Sequence, residues 1–305
     1  MNHSRILVTG AGGMLGRAVV AELTGQCDVV GFDLVGNSAD VEWHTGDITD
    51  YAAVSAAMRG CTAVLHIAAI PNIVSGTAVE IVRVNTVGTW NVFDAAREQG
   101  IGRVVLCSSD SVVGFTVRQG LMVAPDYLPV DEFHPLRPTD AYATSKKLGE
   151  ELARSFIPHG ISTVALRPVF IAHPESLVEI EARARDPEGY QPGQAGGAQP
   201  AAGGAVWHYV DTRDVARSFR LALELDTANA FEPFFISAGE TLSPEPTLER
   251  LQVYLERALP DIRNASVWCS NPYAPLYDLE RATTVLGFEA EHSLRGLVER
   301  VNPRQ

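Results

Sequence analysis

Short apolar runs alternate with amphipathic stretches through the first half of the chain. The apolar runs predict buried strands at Arg5–Thr9, Asp28–Asp33, Ala63–Ala68, Arg103–Ser108 and Ser162–Arg167. Helical spacing of apolar positions between these runs predicts helices at Ala18–Leu23, Val79–Gln99 and Ala141–Phe156. Strands that alternate with helices in this way indicate βαβ units and a parallel sheet covered on both faces. The predicted fold class is therefore α/β, a Rossmann-type doubly wound parallel sheet.

The alternation changes after Pro168. Residues 186–206 are rich in Gly, Pro, Ala and Gln, a composition typical of either a disordered excursion or a mobile cover over a site. Beyond them the pattern predicts a helix at Thr212–Leu225, a strand at Phe234–Ser237 and a helix near Leu248–Ala258. We expect an NAD-binding domain over residues 1–168. A smaller, mainly substrate-binding lobe follows over 169–305, with some segments returning to the core.

Charge and cysteine usage narrow the choice of partners and compartment. The 24 basic and 37 acidic residues leave a net charge of −13, which repels phosphate backbones and anionic lipid. Nucleic-acid and membrane partners are therefore not expected. The four cysteines are widely spaced, so neither a disulfide framework nor a metal site is expected. The N-terminus shows no signal-peptide pattern, and we expect a cytoplasmic protein.

A glycine-rich turn lies directly between the first predicted strand and the first helix. Gly10, Gly13 and Gly16 give the spacing G-x-x-G-x-x-G. A dinucleotide pyrophosphate requires backbone N–H groups at a helix N-terminus and no Cβ in its path. Tight turns also use glycine, but the strand-turn-helix context predicts a cofactor site.

Asp33 ends the second predicted strand, downstream of the glycine turn. A carboxylate there accepts hydrogen bonds from an adenosine ribose and repels a 2′-phosphate, so NAD is favoured over NADP as the cofactor. The alternative role of Asp33 is a simple cap at the end of the strand.

Tyr142 and Lys146 are four residues apart on a predicted helix and face the same way. A phenol is a poor base at neutral pH unless cationic groups, here the ammonium and a bound oxidised nicotinamide, favour its ionised form. Ser109 follows a strand end, where its hydroxyl can hydrogen-bond a substrate hydroxyl. The alternatives are a solvated helix face for the pair and a loop-forming role for the serine.

Together these residues resemble the extended short-chain dehydrogenase/reductase superfamily, in its NAD-dependent epimerase/dehydratase group. The segments that carry the resemblance are Thr9–Gly16, Gly46-Asp47-Ile48, His66-Ile67-Ala68-Ala69, Val84–Thr89, Leu166-Arg167-Pro168 and Tyr209–Ala216. It implies pyrophosphate contacts by the backbone near Met14 and Leu15, and adenine contacts by Asp47 and Ile48. It also implies a cofactor-lining role for Ala68 and Ala69, a bracing role for Asn85, and Ser109, Tyr142 and Lys146 as the catalytic residues.

Two departures from the family pattern bear on the substrate. Family dehydratases carry Thr-Asp-Glu where this chain has Ser109-Asp110-Ser111, so sugar 4,6-dehydration is not expected. Val112-Val113-Gly114, followed by Phe115, is similar to uronate dehydrogenases, whereas the second lobe is closer in size to that of nucleotide-sugar enzymes.

We therefore expect an NAD-dependent enzyme acting on a secondary hydroxyl of a sugar-type substrate, with a nucleotide-sugar epimerase favoured. The alternatives are a uronate or sugar dehydrogenase that releases NADH, and a non-catalytic NAD(H)-binding sensor. His173, Trp207 and His208 are candidates either for substrate contacts or for core packing.

The resemblance also implies a homodimer formed through the helices at Val79–Gln99 and Ala141–Phe156. Leu148, Leu152 and Phe156 form an apolar stripe on the second of these helices. Packing against the protein's own sheet explains this stripe equally well.

Overall fold

The computed structural model describes residues 4–36, 40–115, 122–227, 230–255 and 258–301. The strands are β1 (Arg5–Thr9), β2 (Asp28–Asp33), β3 (Glu42–Thr45), β4 (Ala63–His66), β5 (Arg103–Cys107), β6 (Tyr127–Leu128), β7 (Ser162–Pro168), β8 (Ile171–Ala172), β9 (Val210–Asp211), β10 (Phe231–Ile236) and β11 (Asp261–Ile262). The helices are α1 (Met14–Leu23), α2 (Tyr51–Ala57), α3 (Ala78–Glu98), α4 (Ala141–Ser155), α5 (Leu177–Arg185), α6 (Thr212–Glu224), α7 (Thr247–Leu255), α8 (Ser266–Ser270), α9 (Glu280–Thr284) and α10 (Arg295–Val301).

A seven-stranded parallel sheet in the order β10-β7-β5-β4-β1-β2-β3 forms the centre of the molecule. The chain first moves outward from β1 to β3 and then crosses back, so that β4 pairs with the other side of β1. Thr9 at the end of β1 is in register with Phe32 of β2 and with His66 of β4. This reversal of strand order opens a crevice at the carboxyl ends of β1 and β4, where ligands bind in such sheets.

Both faces of the sheet are covered, as the sequence predicts. In β1, Ile6 and Val8 join one apolar core, to which α1 and α6 also contribute. Leu7 joins a second core, to which α2, α3 and α4 contribute. Successive side chains of a strand point to opposite faces, so a strand that is apolar throughout requires a covering layer on each side. The predicted doubly wound α/β fold is confirmed.

Late segments of the chain complete the central layers. The strand β10 pairs with β7 at one edge of the sheet, and α6 packs against α1. Conversely, β6 pairs with the late strand β11 in a separate two-stranded sheet. The division into domains at residue 168 stays a prediction.

The Gly- and Pro-rich segment 186–206 has a defined conformation organised by one buried carboxylate. Glu179 of α5 accepts hydrogen bonds from the backbone N–H groups of Gly193 (3.0 Å), Ala195 (2.9 Å) and Gly197 (3.0 Å), and from the hydroxyl of Tyr190 (2.7 Å). Composition alone did not predict this anchor. A role of the segment as a cover over the site stays a prediction.

Within the described ranges, no helix combines the length and the apolar character needed to cross a membrane.

Candidate active site

The glycine turn joins β1 to α1 and leaves no room for a side chain at Gly10 or Gly16. Gly10 has a φ of 75°, and a Cβ there would lie 2.7 Å from the backbone nitrogen of Ala68. A Cβ on Gly16 would lie 1.9 Å from the carbonyl oxygen of Gly10. Gly13 precedes α1 and caps it with no side-chain hydrogen bond, so the amides of Met14 and Leu15 begin the helix without a side-chain acceptor. This geometry fits an anion bound at the helix N-terminus.

Asp33 lies at the end of β2, beside this turn. Its Oδ2 accepts a hydrogen bond from the amide of Gly12 (2.9 Å), and its Oδ1 accepts one from the amide of Leu34 (2.6 Å). The carboxylate therefore braces the turn, while its position at the strand end is also the one predicted for contact with a ribose. Leu34 and Val35 follow it and are exposed.

His66 connects the ends of β1 and β4 to α3 through a buried chain of hydrogen bonds. Its Nδ1 is 2.8 Å from the hydroxyl of Thr9, and its Nε2 is 3.0 Å from the hydroxyl of Thr89. Thr89 donates its only proton to the carbonyl of Asn85, so the Nε2 of His66 carries the proton. Burial lowers the pKa of His66 to about 3, and the neutral ring acts as a rigid connector.

Asn85 braces the loop after β4 against the helix that carries the candidate catalytic pair. Its side-chain amide accepts from the backbone N–H of Ile70 (2.8 Å) and donates to the carbonyl of the same residue (3.1 Å). It also donates to the hydroxyl of Ser145 on α4 (2.9 Å). Ala68, Ala69 and Asn85 line one small cavity together with Lys146.

The predicted adenine contacts follow β3. Asp47 accepts a hydrogen bond from the amide of Thr49 (2.8 Å), and the side chain of Ile48 is buried against Gly88 of α3. The amide of Gly46 donates to the carbonyl of Asp33 (2.9 Å). This bond holds Asp47 and Ile48 near the predicted ribose contact.

The structure brings Tyr142, Lys146 and Ser109 together where β5 ends and α4 begins. The ammonium of Lys146 lies 5.7 Å from the centroid of the Tyr142 ring and donates to the carbonyl of Cys107 (2.7 Å). Burial lowers the pKa of Lys146. Burial raises the pKa of Tyr142 above its usual range. The Cys107 thiol, once ionised, and the Asp110 carboxylate raise this pKa further, and the hydrogen bond with Ser109 offsets only part of the rise. Acidification of the phenol by Lys146 therefore stays a prediction for the complex with oxidised cofactor.

Ser109 caps a short 3-10 helix at Asp110–Val113, and its hydroxyl orientation is set by its neighbours. Its Oγ accepts from the amide (3.2 Å) and from the hydroxyl (2.9 Å) of Ser111, and donates to Asp110 Oδ1 (3.3 Å). With two donors on its oxygen, the serine's own proton is left for an acceptor, which is the Asp110 carboxylate here. Sequence reasoning did not assign this role to Ser111.

Residues 6–236 match the model of the NAD dependent epimerase/dehydratase family. The chain belongs to this family. The match confirms the resemblance drawn from the motifs and, with it, NAD as the predicted cofactor.

Three similar proteins illustrate the family. The uronate dehydrogenase of Pseudomonas putida is 31% identical over 170 residues, 54% of this chain and 60% of that enzyme. The L-arabinose 1-dehydrogenase (NAD(P)(+)) of Haloferax volcanii is 32% identical over 178 residues, 54% of this chain and 66% of that enzyme. The match thus spans less than two thirds of either relative. A short-chain dehydrogenase/reductase superfamily protein of Agrobacterium tumefaciens, solved with bound NAD, superposes with a TM-score of 0.70 and 28% identity over 98% of this chain and 96% of that one.

In this family member, a buried ion pair supports the strand end next to Ser109. Glu150 of α4 receives two hydrogen bonds from the guanidinium of Arg167 (2.9 and 2.8 Å) and a third from the hydroxyl of Ser108 (2.6 Å). The Glu150 and Arg167 side chains are at most 1% exposed. The bidentate pair joins α4 to β7, and the Ser108 hydrogen bond adds the end of β5. This gives the Leu166-Arg167-Pro168 segment a structural role.

The three second-lobe candidates have different surroundings. Trp207, at a φ of 57°, packs in the apolar core of the lobe beneath the guanidinium of Arg183 (3.8 Å to the ring centroid). His173 is buried after β8. His208 lies 4.9 Å, between ring centroids, from Tyr277, whose hydroxyl reaches the carboxylate of Asp110. The packing interpretation therefore suits Trp207, and His208 lies next to the tyrosine that contacts Asp110.

Proposed function

We propose that the chain is an NAD-dependent dehydrogenase that oxidises a hydroxyl-bearing carbon of a free sugar or sugar acid. The observation that carries this proposal is the convergence of Ser109, Tyr142 and Lys146 at the carboxyl end of β5, beside the crevice between β1 and β4. A hydroxyl, a phenol and an ammonium at that position are the groups needed to take a proton from an alcohol.

The proposed mechanism assigns one task to each side chain. Ser109, whose hydroxyl donates to Asp110 in this structure, would turn its proton to the reacting oxygen and hold that oxygen near Tyr142. The phenolate of Tyr142 accepts the hydroxyl proton as the carbonyl forms. Lys146, held by the carbonyl of Cys107, keeps a positive charge beside the phenol and favours its ionised form. Bound NAD would supply the hydride acceptor for the substrate carbon.

The residues around the crevice between β1 and β4 are those that would hold the cofactor. The backbone of Gly10, Gly13, Met14, Leu15 and Gly16 would bind the pyrophosphate. Asp33 would accept hydrogen bonds from the adenosine ribose, and Asp47 with Ile48 would contact adenine. Ala68, Ala69, Asn85, Tyr142 and Lys146 would line the nicotinamide side of the site.

The relatives compared above support an order of preference among the candidate reactions. The two enzymes compared above are dehydrogenases of a sugar acid and a free sugar, and we therefore place dehydrogenation ahead of nucleotide-sugar epimerisation. The size of the second lobe keeps the epimerase as the second candidate. Burial of the Lys146 ammonium beside Tyr142 costs free energy, and a non-catalytic NAD(H) sensor would not need this pair. We therefore disfavour the sensor.

One assay separates the three candidates. The protein is mixed with NAD and a panel of neutral sugars, uronates and nucleotide sugars, while NADH absorbance and sugar products are measured. Steady NADH formation supports the dehydrogenase. Conversion between sugar epimers without net NADH supports the epimerase instead. Binding of NAD with neither reaction rejects both enzyme proposals.

We also propose a homodimer formed through the outer surfaces of α3 and α4. These helices pack together and leave Val79, Val87, Trp90 and Leu148 between 41% and 77% exposed. Phe156, by contrast, is buried against Phe93. Sedimentation should give a dimer for the native chain and a monomer for Trp90→Glu; a native monomer would reject the proposal.

A further inference from the structure

Tyr277 connects the second half of the chain to the catalytic loop. Its hydroxyl donates a hydrogen bond to Oδ2 of Asp110 (2.8 Å), across 167 residues of sequence. Asp110 directly follows Ser109, whose hydroxyl donates to the other carboxylate oxygen, Oδ1 (3.3 Å). One carboxylate thus lies between the tyrosine hydroxyl and the hydroxyl of the candidate catalytic serine.

The position of Tyr277 is fixed from several sides. Its ring stacks on Phe235 (centroids 4.4 Å apart) and on Phe115 (5.5 Å). The amide of the preceding residue, Leu276, donates to Nε2 of His208 (3.0 Å), and the carbonyl of Leu276 accepts from the amide of Val130 (2.7 Å). Tyr277 is 2% exposed. Such a rigid setting is what a residue that orients another requires.

We propose that Tyr277 is a positioning residue which holds the Asp110 carboxylate and, through it, directs the Ser109 hydroxyl toward the reacting oxygen. The inference rests on the proposed function of Ser109 and Tyr142. The hydrogen bond from Tyr277 weakens Asp110 as a competing acceptor for the serine proton. It also offsets part of the negative charge beside the phenol of Tyr142.

Several groups face the phenol of Tyr142, and their charges determine whether its pKa rises or falls when the Tyr277 hydroxyl is removed. Cys107, Asp110 and Asp140 carry or can acquire negative charge that disfavours the phenolate, while Lys146 and the Ser109 hydroxyl favour it. His208, on the other side of Tyr277, stays neutral because burial lowers its pKa to about 3. Loss of the Tyr277 hydroxyl leaves Asp110 less compensated, and the phenol should then ionise at higher pH.

The test compares Tyr277→Phe, which keeps the stacked ring, with Tyr254→Phe on the exposed face of α7 as the matched control. With the sugar that gives the fastest NADH formation, Tyr277→Phe should lower kcat about tenfold, the typical effect of losing one hydrogen bond to a charged group. The acidic limb of its kcat–pH profile, where turnover rises as the Tyr142 phenol ionises, should move to higher pH by roughly half a unit or more. KM for NAD should stay unchanged.

Asp110→Asn provides an independent arm, because removal of the charge should move the same limb to lower pH. In the Asp110→Asn background, Tyr277→Phe should cause no further shift. The proposal is overturned if Tyr277→Phe lowers only thermal stability, if the two changes shift the profile additively, or if Asp110→Asn leaves the limb in place. An unchanged limb in Asp110→Asn would overturn the proposal even if Tyr277→Phe does not fold.

A protein that oxidises no sugar would reject the proposed function and still permit this test. Tyrosinate absorbance is then titrated in the NAD complex, with Tyr142→Phe identifying the signal of that phenol. Tyr277→Phe should raise the pH at which the Tyr142 signal appears, and an unchanged titration would refute the positioning role.

Discussion

Replacing Glu179 with Gln should release the segment 186–206 from its anchor. The carboxylate accepts four hydrogen bonds, three of them from backbone amides. A glutamine keeps one acceptor oxygen and turns an N–H₂ group toward the donors that the other oxygen served. Two charged hydrogen bonds are lost at roughly 1.5–3 kcal/mol each, so the segment should open at a free energy lower by about 3–6 kcal/mol.

Hydrogen exchange measures this opening at the amides themselves. In Glu179→Gln, the amides of Gly193, Ala195 and Gly197 should lose most of their protection, and the segment should become sensitive to protease. The matched control is Glu181→Gln on the same helix, where a partly exposed pair with Arg185 contributes about 1 kcal/mol at most. Equal protection in the two variants would refute the anchoring role.

Acid should have a similar effect on the native protein. Burial raises the pKa of Glu179, but the hydrogen bonds from Tyr190 and the backbone amides outweigh it and hold the pKa below its usual value. A carboxylate with a lowered pKa stabilises the fold above the pKa of the unfolded chain, and this contribution is lost as the pH falls through the folded-state value. Protection of the segment should therefore decrease on acidification, and Glu179→Gln should show no such acid transition.

Three further changes test other parts of the molecule. Tyr142→Phe should abolish turnover and leave the Kd for NAD nearly unchanged in calorimetry, and retained turnover would show that another group is the base. Asp33→Ala should reduce the preference for NAD over NADP, measured as the ratio of their kcat/KM values; an unchanged ratio would reject the ribose contact. Glu150→Ala should leave the buried Arg167 without its partner and lower the free energy of unfolding by about 3–5 kcal/mol in urea, whereas a loss below ~1 kcal/mol would contradict the structural role of the pair.

The central strands were predictable because a strand buried on both faces requires a continuous apolar run, which is visible in the local sequence. β1 and β2 have the bounds expected from their apolar runs. β3 was missed because Glu42–Thr45 is a half-buried edge strand with a mixed pattern. α1 begins at Met14, earlier than the predicted Ala18, because Gly13 precedes it without the side-chain cap that usually marks a helix start.

The candidate site was predictable where motif spacing carries the chemistry. Gly10, Tyr142 and Lys146 could be chosen from the turn context and the helical spacing. The contact between Tyr277 and Asp110 could not, because it depends on how distant segments fold together. The contact of Lys146 with the Cys107 carbonyl likewise involves a backbone group that no residue pattern identifies.

The most direct test of the central claim follows a deuterium label. A sugar from the panel, deuterated at its carbon-bound positions, is incubated with the protein and NAD, and the cofactor is analysed by mass spectrometry. The native protein should place one deuterium on the nicotinamide ring, and Tyr142→Phe should place none. A native protein that forms oxidised sugar while the nicotinamide stays unlabelled would contradict hydride transfer at this site.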